Sequence, residues 1–281
     1  MTSVSHTPGV LYVVATPIGN LSDASPRALE TLRSADLIAC EDTRTTRTLL
    51  ARHGIATQAV ALHEHNERKA SAGLVEALRE GKNIALVSDA GTPALSDPGA
   101  WLVREAHRAG IRVSPLPGPS AAAAAVSVAG FPAAQFLFAG FLPAARAARR
   151  KALARLNLPW PVVLYEAPHR IAETLADLAE QFGPQRELAI CRELTKKFEE
   201  VARLPLGEVG AWLDQRAERA QGEFVLVLEP GQEREAQTVD ADAVLDILLE
   251  SMKPSEAAKL AARITGAPKN ELYRKALKQA K

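Results

Sequence analysis

Five short segments hold most of the side chains able to do chemistry: TPIGNLSD (16–23), ACEDTR (39–44), LHEHNE (62–67), SDAGTPALSDPG (88–99) and PLPGPSA (115–121). Each mixes turn-forming residues with Asp, Glu, Thr, Ser or His, so each can bring carbonyls, carboxylates and N–H groups close to a ligand. What is missing narrows that ligand. The chain has no GxG, which removes the dinucleotide fingerprint, and no GxxxxGK[ST], which removes the phosphate-cradling P-loop. HExxH is also absent, and His63 and His65 flank Glu64 at a strand end, where alternation would turn the imidazoles to opposite faces, so no metal is expected. Acidic loop ends without a glycine cradle suit an adenosine carrying an ammonium and a sulfonium, which describes S-adenosylmethionine (SAM). Carboxylates and carbonyls would stabilise its cations, and N–H groups after Gly91 or Gly118 would take its carboxylate and adenine edge.

The elements that position these segments follow from periodicity. Apolar runs at 10–15, 36–40, 58–62, 83–88 and 113–118 alternate with amphipathic stretches at 26–35, 43–54 and 68–81. Runs apolar at nearly every position, alternating with helices, predict parallel strands covered on both faces. All five segments then fall beyond the carboxyl ends of strands, where such sheets bind ligands. Ser25-Pro26 and Asp97-Pro98 each set a capping side chain before a first-turn proline, so Asp97 reads as a helix N-cap. Asp89 has no helix directly behind it and reads as a ligand contact. An Ala-rich helix over 119–130 closes this first set.

A second set follows Phe131-Pro132: QFLFAGF (135–141), PVVLYEA (161–167), RIAETLADLAEQFG (170–183), RELAICREL (186–194) and GEFVLVLEP (222–230), with tight turns that predict a mixed sheet. Beyond a polar linker come helical patterns at 241–252, 255–265 and 269–279, the last two in a helix-turn-helix layout. The expected fold is α/β: two α/β/α domains, 1–131 with a parallel sheet and 132–231 with a mixed sheet, then a basic helical appendage at 240–281.

The net charge of +1 is unevenly spread. Residues 251–281 hold eight basic side chains against Glu256 and Glu271, and 142–156 hold five with no acid, so the remainder is acidic. Localised basic patches fit a polyanion gripped at defined places; solvated helix faces are the plain alternative. Cys40 and Cys191 lie in separate apolar runs, which suggests neither a disulfide nor a metal pair. The N-terminus lacks a basic-then-apolar leader and no run is long enough to span a bilayer, so a cytoplasmic protein without membrane contact is expected.

In order, the five segments together with FLFAGFLP (136–143), YEAPHR (165–170), ELTKKFEE (193–200) and GEFVLV (222–227) resemble the branch of the tetrapyrrole (class III) methylase family that methylates small-subunit ribosomal RNA. The resemblance runs over about residues 10 to 230, with a basic C-terminal appendage of the kind seen in that branch. It implies SAM in a cleft between two α/β domains, a homodimer, and 2′-O-methylation of a cytidine ribose in the decoding region of 16S rRNA, within the small ribosomal subunit. Carried over motif by motif, cofactor contacts fall at Pro17, Ser88, Asp89, Ala90, Gly91, Thr92, Ser120 and Ala121, and at Leu142, Tyr165, Glu166, Ala167 and Phe224 in the second half. One departure matters. Porphyrinoid methylases of the family usually carry GxGPGD after the first strand, and TPIGNLSD in its place moves the expected substrate from macrocycle to RNA.

Methylating a hydroxyl requires a proton acceptor, for which Glu41, Asp42 and His65 are candidates. Cys40 reads as core. Expected RNA contacts are Arg44, Arg149, Arg150, Arg170, Lys196, Lys197, Lys269 and Arg274. Arg44 can instead pair with Asp42, Lys196-Lys197 can be a solvated pair, and His169-Arg170 can mix helix capping with cleft contact. Two rival functions stand beside this one: a porphyrinoid methylase, which needs no basic appendage, and an RNA-binding assembly factor without SAM affinity.

Overall fold

The computed structural model describes residues 7–231 and 240–279. The chain divides into two compact units, Met1–Pro230 and Gly231–Lys281. The first holds two five-stranded sheets.

In the first sheet β1 (Val10–Val14), β2 (Leu37–Cys40), β3 (Ala59–Ala61), β4 (Ile84–Val87) and β5 (Arg112–Leu116) run parallel in the order β3-β2-β4-β1-β5. Helices α1 (Pro26–Ser34) and α2 (Thr43–Arg52) cover one face, where Leu32 and Leu49 pack on Val14, Ile38 and Val87. Helices α3 (Glu67–Arg79) and α4 (Ala100–Arg108) cover the other, with Leu74, Leu78 and Leu102 against Leu11, Ile84 and Leu86. Burial on both faces is why the strands are apolar at nearly every position. Neighbouring β1 and β4 lead to helices on opposite faces, which opens a crevice between their carboxyl ends.

Ser25 caps α1 as expected, its hydroxyl accepting from the Ala28 N–H at 3.1 Å. The Asp97 cap is corrected. Helix α4 begins at Ala100 behind Gly99, and its free N–H groups on Gly99 and Trp101 donate to Glu67 Oε1 at 2.7 and 3.0 Å. Positive φ angles at Ala94, Ser96 and Gly99 shape the preceding loop, so the start of α4 is set by that loop and by a carboxylate on α3 rather than by Asp97-Pro98.

The second sheet comprises β6 (Leu137–Phe141), β7 (Val162–Glu166), β8 (Glu187–Arg192), β9 (Glu200–Pro205) and β10 (Phe224–Leu228), ordered β6-β7-β10-β8-β9. Only β6 and β7 pair in parallel, so the sheet is mixed as expected. Edge strand β9 was not expected, because EVARLP is interrupted by the charges of Glu200 and Arg203 without apolar alternation, and its side chains are exposed or half-buried. Helices α6 (Arg146–Leu153), α7 (Ile171–Phe182) and α8 (Val209–Asp214) cover one face around Leu153, Leu175, Leu178 and Trp212. The other face receives α5 (Ala121–Ala129), whose Ala122, Ala125 and Ala129 pack on Val163, Ala189, Val225 and Val227. Small side chains let this helix, the last of the first half, lie close on the sheet of the second. The boundary expected at 131 thus follows a helix that packs with the later strands.

A bulge in β6 between Phe138 and Gly140 completes the frame. Gly140 has φ +64°, and a Cβ there would lie 2.9 Å from Ser96 Oγ, so glycine lets the loop after β4 touch the second sheet.

In the second unit α9 (Ala241–Leu249), α10 (Pro254–Thr265) and α11 (Lys269–Gln279) enclose Leu245, Ala257, Ala258, Ala261, Leu272 and Ala276. Helix α10 ends on left-handed Gly266, giving the expected helix-turn-helix layout. The expected polar linker lies, except for Asp240, outside the described residues. The expected α/β class, with a parallel sheet, a mixed sheet and then helices, is the fold observed.

Candidate active site

The loops after β1 and β4 are stitched together. Thr16 and Gly91 exchange backbone hydrogen bonds of 2.9 and 3.0 Å, and Thr16 Oγ1 donates to the Ser88 carbonyl at 3.1 Å. Beside this seam a cavity of about 400 Å³ is lined by loops from both sheets. On the first-sheet side stand Asp89, Ala90, Gly91, Thr92, Asp97, Ser120 and Ala121; on the second-sheet side stand Phe141, Tyr165, Glu166, Ala167, Cys191 and Phe224. A smaller cavity of about 260 Å³ shares Asp89 with it and is lined by Pro17, Ser88 and threonines of α2.

The two walls of the larger cavity differ. One presents carboxylates: burial pushes the Asp97 carboxyl above its ordinary 3.8, opposed by Ser88 and helped by the charge of Asp89. The other is aromatic and apolar. The Tyr165 ring meets Phe138 and Phe141 edge-on, with centroids 4.9 and 5.6 Å apart, and burial raises the Cys191 thiol to about 12, so it stays neutral. A flat adenosine fits the aromatic wall and a cation fits the acidic one, so this residue set suits SAM.

Ten of the expected cofactor residues meet in this cavity: Asp89, Ala90, Gly91, Thr92, Ser120, Ala121, Tyr165, Glu166, Ala167 and Phe224. Pro17 and Ser88 line the smaller cavity instead. Leu142 lines neither; it is buried, and its carbonyl accepts from Arg170 Nη2 at 2.7 Å. The Glu166 carboxylate is turned to structural use, accepting from Thr174 Oγ1 at 2.6 Å and the Ala167 N–H at 2.8 Å. Asp97, Phe141 and Cys191 were not anticipated. The second aspartate of SDAGTPALSDPG was the available signal for Asp97, and the proline behind it suggested a cap instead.

The three expected proton acceptors are placed differently. Asp42 caps α2, and Arg44 Nη2 donates to its Oδ2 at 2.6 Å, which holds the carboxyl down at about 2. Its N–H donates to Asp89 Oδ1 at 3.0 Å, so Asp42 orients Asp89. The Glu41 carboxyl is raised, first by burial and then by the charges of Asp97, Asp89, Asp42 and Glu64, although Glu41 lines neither cavity. His65 is exposed and also lines neither. Its ring lies edge-on to His63 with centroids 6.0 Å apart, rather than on the opposite face. Strand β3 ends at Ala61, so strand alternation does not govern the two histidines. Among the described residues no three His, Cys, Asp or Glu side chains converge as a metal site needs.

The basic patch at 142–156 is corrected too. Arg149 is fully buried, donating to Asp177 Oδ2 at 2.7 Å and Glu173 Oε2 at 3.0 Å, so it cannot reach RNA. Arg150 pairs with Glu180, and Arg146 Nε donates to Asp177 Oδ1 at 3.1 Å. The acids of α7 thus neutralise much of a segment that is purely basic in sequence. Arg170 braces Glu166 and the Leu142 carbonyl, and Lys196 Nζ binds Glu193 and Glu223 at 2.8 and 2.9 Å. Arg44, Lys197, Lys269 and Arg274 remain exposed, Arg44 through its ion pair with Asp42. No described helix is long and apolar enough to cross a membrane.

Residues 10–210 match the family of tetrapyrrole (corrin/porphyrin) methylases, and residues 235–280 match the RsmI C-terminal HTH domain. The ribosomal RNA small subunit methyltransferase I of Xylella fastidiosa (strain Temecula1) is 49% identical over 95% of this chain and 98% of its own length. That of Escherichia coli O157:H7 is 46% identical over 99% and 98%. Among solved structures, uroporphyrin-III-C-methyltransferase from Thermus thermophilus has a TM-score of 0.55 at 20% identity, covering 79% of this chain and 94% of that one. Diphthine synthase has a TM-score of 0.59 at 16% identity over 78% and 89%, and at such identities the likeness concerns the fold. With both its methylase region and its C-terminal helices matched, the chain belongs to the tetrapyrrole methylase family, in its ribosomal RNA small subunit methyltransferase I branch.

Proposed function

We propose that this protein methylates the ribose 2′-hydroxyl of a cytidine in the decoding region of small-subunit 16S rRNA, with SAM as donor. The observation that carries the reading is the larger cavity, which sets carboxylates against an aromatic wall beside a second cavity able to take an acceptor. The names of the full-length relatives support the substrate.

SAM, when bound, supplies a methyl group activated by a positive sulfur. The rest falls to the chain. Tyr165 and Phe141 hold the flat part of the donor, and Asp89 and Asp97 face its charge. Fixing the acceptor oxygen in line with the donor provides much of the acceleration. The hydroxyl proton leaves toward the carboxylates that line the cavities, Asp89 where the two meet and Asp97, whose carboxyl is raised by burial. Asp42, bound to Arg44, is the poorest base of the group.

A ribose inside an A-form helix is hard to reach, so the target nucleotide is unpaired or opened. Arg44, Lys197, Lys269 and Arg274 are among the exposed cations of the described residues and are offered to flanking phosphates. We further propose that the protein is a cytoplasmic homodimer. Edge strand β9, with exposed Val201 beside exposed Phe198, offers apolar surface that a second copy would cover, and light scattering tests this.

The deciding experiment incubates the protein with methyl-labelled SAM and small ribosomal subunits lacking the modification. Label at a nuclease-resistant 2′-position is expected. Label on a porphyrinoid, or RNA binding without heat of SAM association, would replace the assignment with one of the rival functions.

A further inference from the structure

The smaller cavity is built for one flat ring. It holds about 260 Å³, below the roughly 300–1,000 Å³ of sites for drug-sized ligands, and far too little for a tetrapyrrole. Pro17, Leu21 and Leu49 give it apolar walls, while Thr45, Thr46 and Thr48 bring hydroxyls from the N-terminal half of α2. Thr46 is only 4% exposed, and its Oγ1 has beside it only the Cys40 thiol, a weak hydrogen-bonding group, with no nitrogen or oxygen partner among the described residues. The Cys40 thiol beside it donates instead to the Val60 carbonyl at 3.5 Å. A buried hydroxyl without a strong partner is disfavoured, and because Thr46 lines the cavity, a ligand edge seated there can supply one. Asp89 forms part of both cavities. Its Oδ1 is held by the Asp42 N–H at 3.0 Å, and its Oδ2 has no donor among the described residues.

We propose that this second cavity seats the acceptor: one unstacked pyrimidine nucleoside, its ring between Pro17, Leu21 and Leu49, its edge hydrogen-bonded to Thr46, and its 2′-hydroxyl donating to Asp89 Oδ2. A threonine hydroxyl both donates and accepts, so it serves either the carbonyl or the amino edge of cytosine. Asp89 then stands where donor and acceptor cavities meet, oriented by Asp42. The proposal rests on the reading of the protein as a ribose methylase and adds where the acceptor sits.

The test uses two labelled single-stranded oligoribonucleotides, one with a single central cytidine and one with an abasic residue there, titrated by fluorescence anisotropy. The full-length protein is compared with Thr48→Phe, which fills the cavity from the exposed side of α2, and with Thr46→Val and Thr46→Ser. SAM binding by calorimetry is expected to be unchanged in all three, which verifies folding. Wild type is expected to prefer the cytidine strand by about tenfold, with the preference lost in Thr48→Phe and Thr46→Val and kept in Thr46→Ser. A Thr48→Phe protein with wild-type preference and wild-type turnover on small subunits overturns the proposal while leaving ribose methylation standing. Wild-type discrimination without label on the subunits leaves the cavity assignment standing and overturns methylation.

Discussion

Arg149 Nε donates to Asp177 Oδ2 at 2.7 Å with both side chains shielded from solvent, joining α6 to α7 beneath the second sheet. Removing one partner leaves the other charge buried and alone. Arg149→Ala should therefore cost about 3–5 kcal/mol in urea unfolding, whereas Arg150→Ala, which breaks an exposed pair, should cost at most about 1 kcal/mol. If instead Arg149→Ala folds normally and changes only the salt dependence of RNA binding, the buried pair is misassigned.

SAM affinity should depend on pH through Asp97. A cation facing this carboxyl favours its ionised form, and burial raises the carboxyl above 3.8, so affinity falls as pH drops into that raised range. Asp97→Asn should weaken binding by about tenfold at neutral pH and flatten the dependence, read by calorimetry at several pH values.

Asp42 acts on stability with the usual carboxylate sign. Its pKa is lowered from 3.8 to about 2 by Arg44, so its contribution is present above about pH 4 and is lost as pH falls through about 2. Asp42→Asn should remove that part of the acid limb in unfolding curves recorded between these limits.

Glu67 is the cap of a helix other than its own. Glu67→Ala frees the N–H groups of Gly99 and Trp101 and should cost about 1–2 kcal/mol, visible as a lowered Tm. Glu67→Gln keeps an acceptor oxygen and should restore most of the loss.

Lys269 and Arg274 are exposed on α11 in the basic C-terminal unit. Replacing both with Gln should reduce the slope of log affinity for rRNA against log salt by about one for each phosphate that the variant no longer neutralises. An unchanged slope would remove α11 from the RNA interface.

The C-terminal helices were legible because glycine and apolar spacing are local signals, and α10, Gly266 and α11 fall where those signals place them. The site was legible in its loops. Ten of the expected cofactor residues line one cavity: six lie just after strands of the parallel sheet, which must end at one edge, and four come from the end of β7 and the start of antiparallel β10 in the second sheet. Strand β9 was not legible, since an edge strand half-exposed to water lacks the apolar alternation that marks a strand.

By itself, then, the sequence determined the parallel sheet, the mixed sheet, the loops that bear chemistry and the family they match. Periodicity and turn residues report whether each segment faces water or protein, and that information is local. Only the tertiary structure decided which distant charges meet. It took Arg149 out of the basic surface and into the core, gave the start of α4 to Glu67, freed Asp97 for the cavity, and laid the Ala-rich α5 on the later sheet. These outcomes depend on partners far apart along the chain, and a charged side chain carries no local mark of whether folding will bring it a counter-charge or leave it in water.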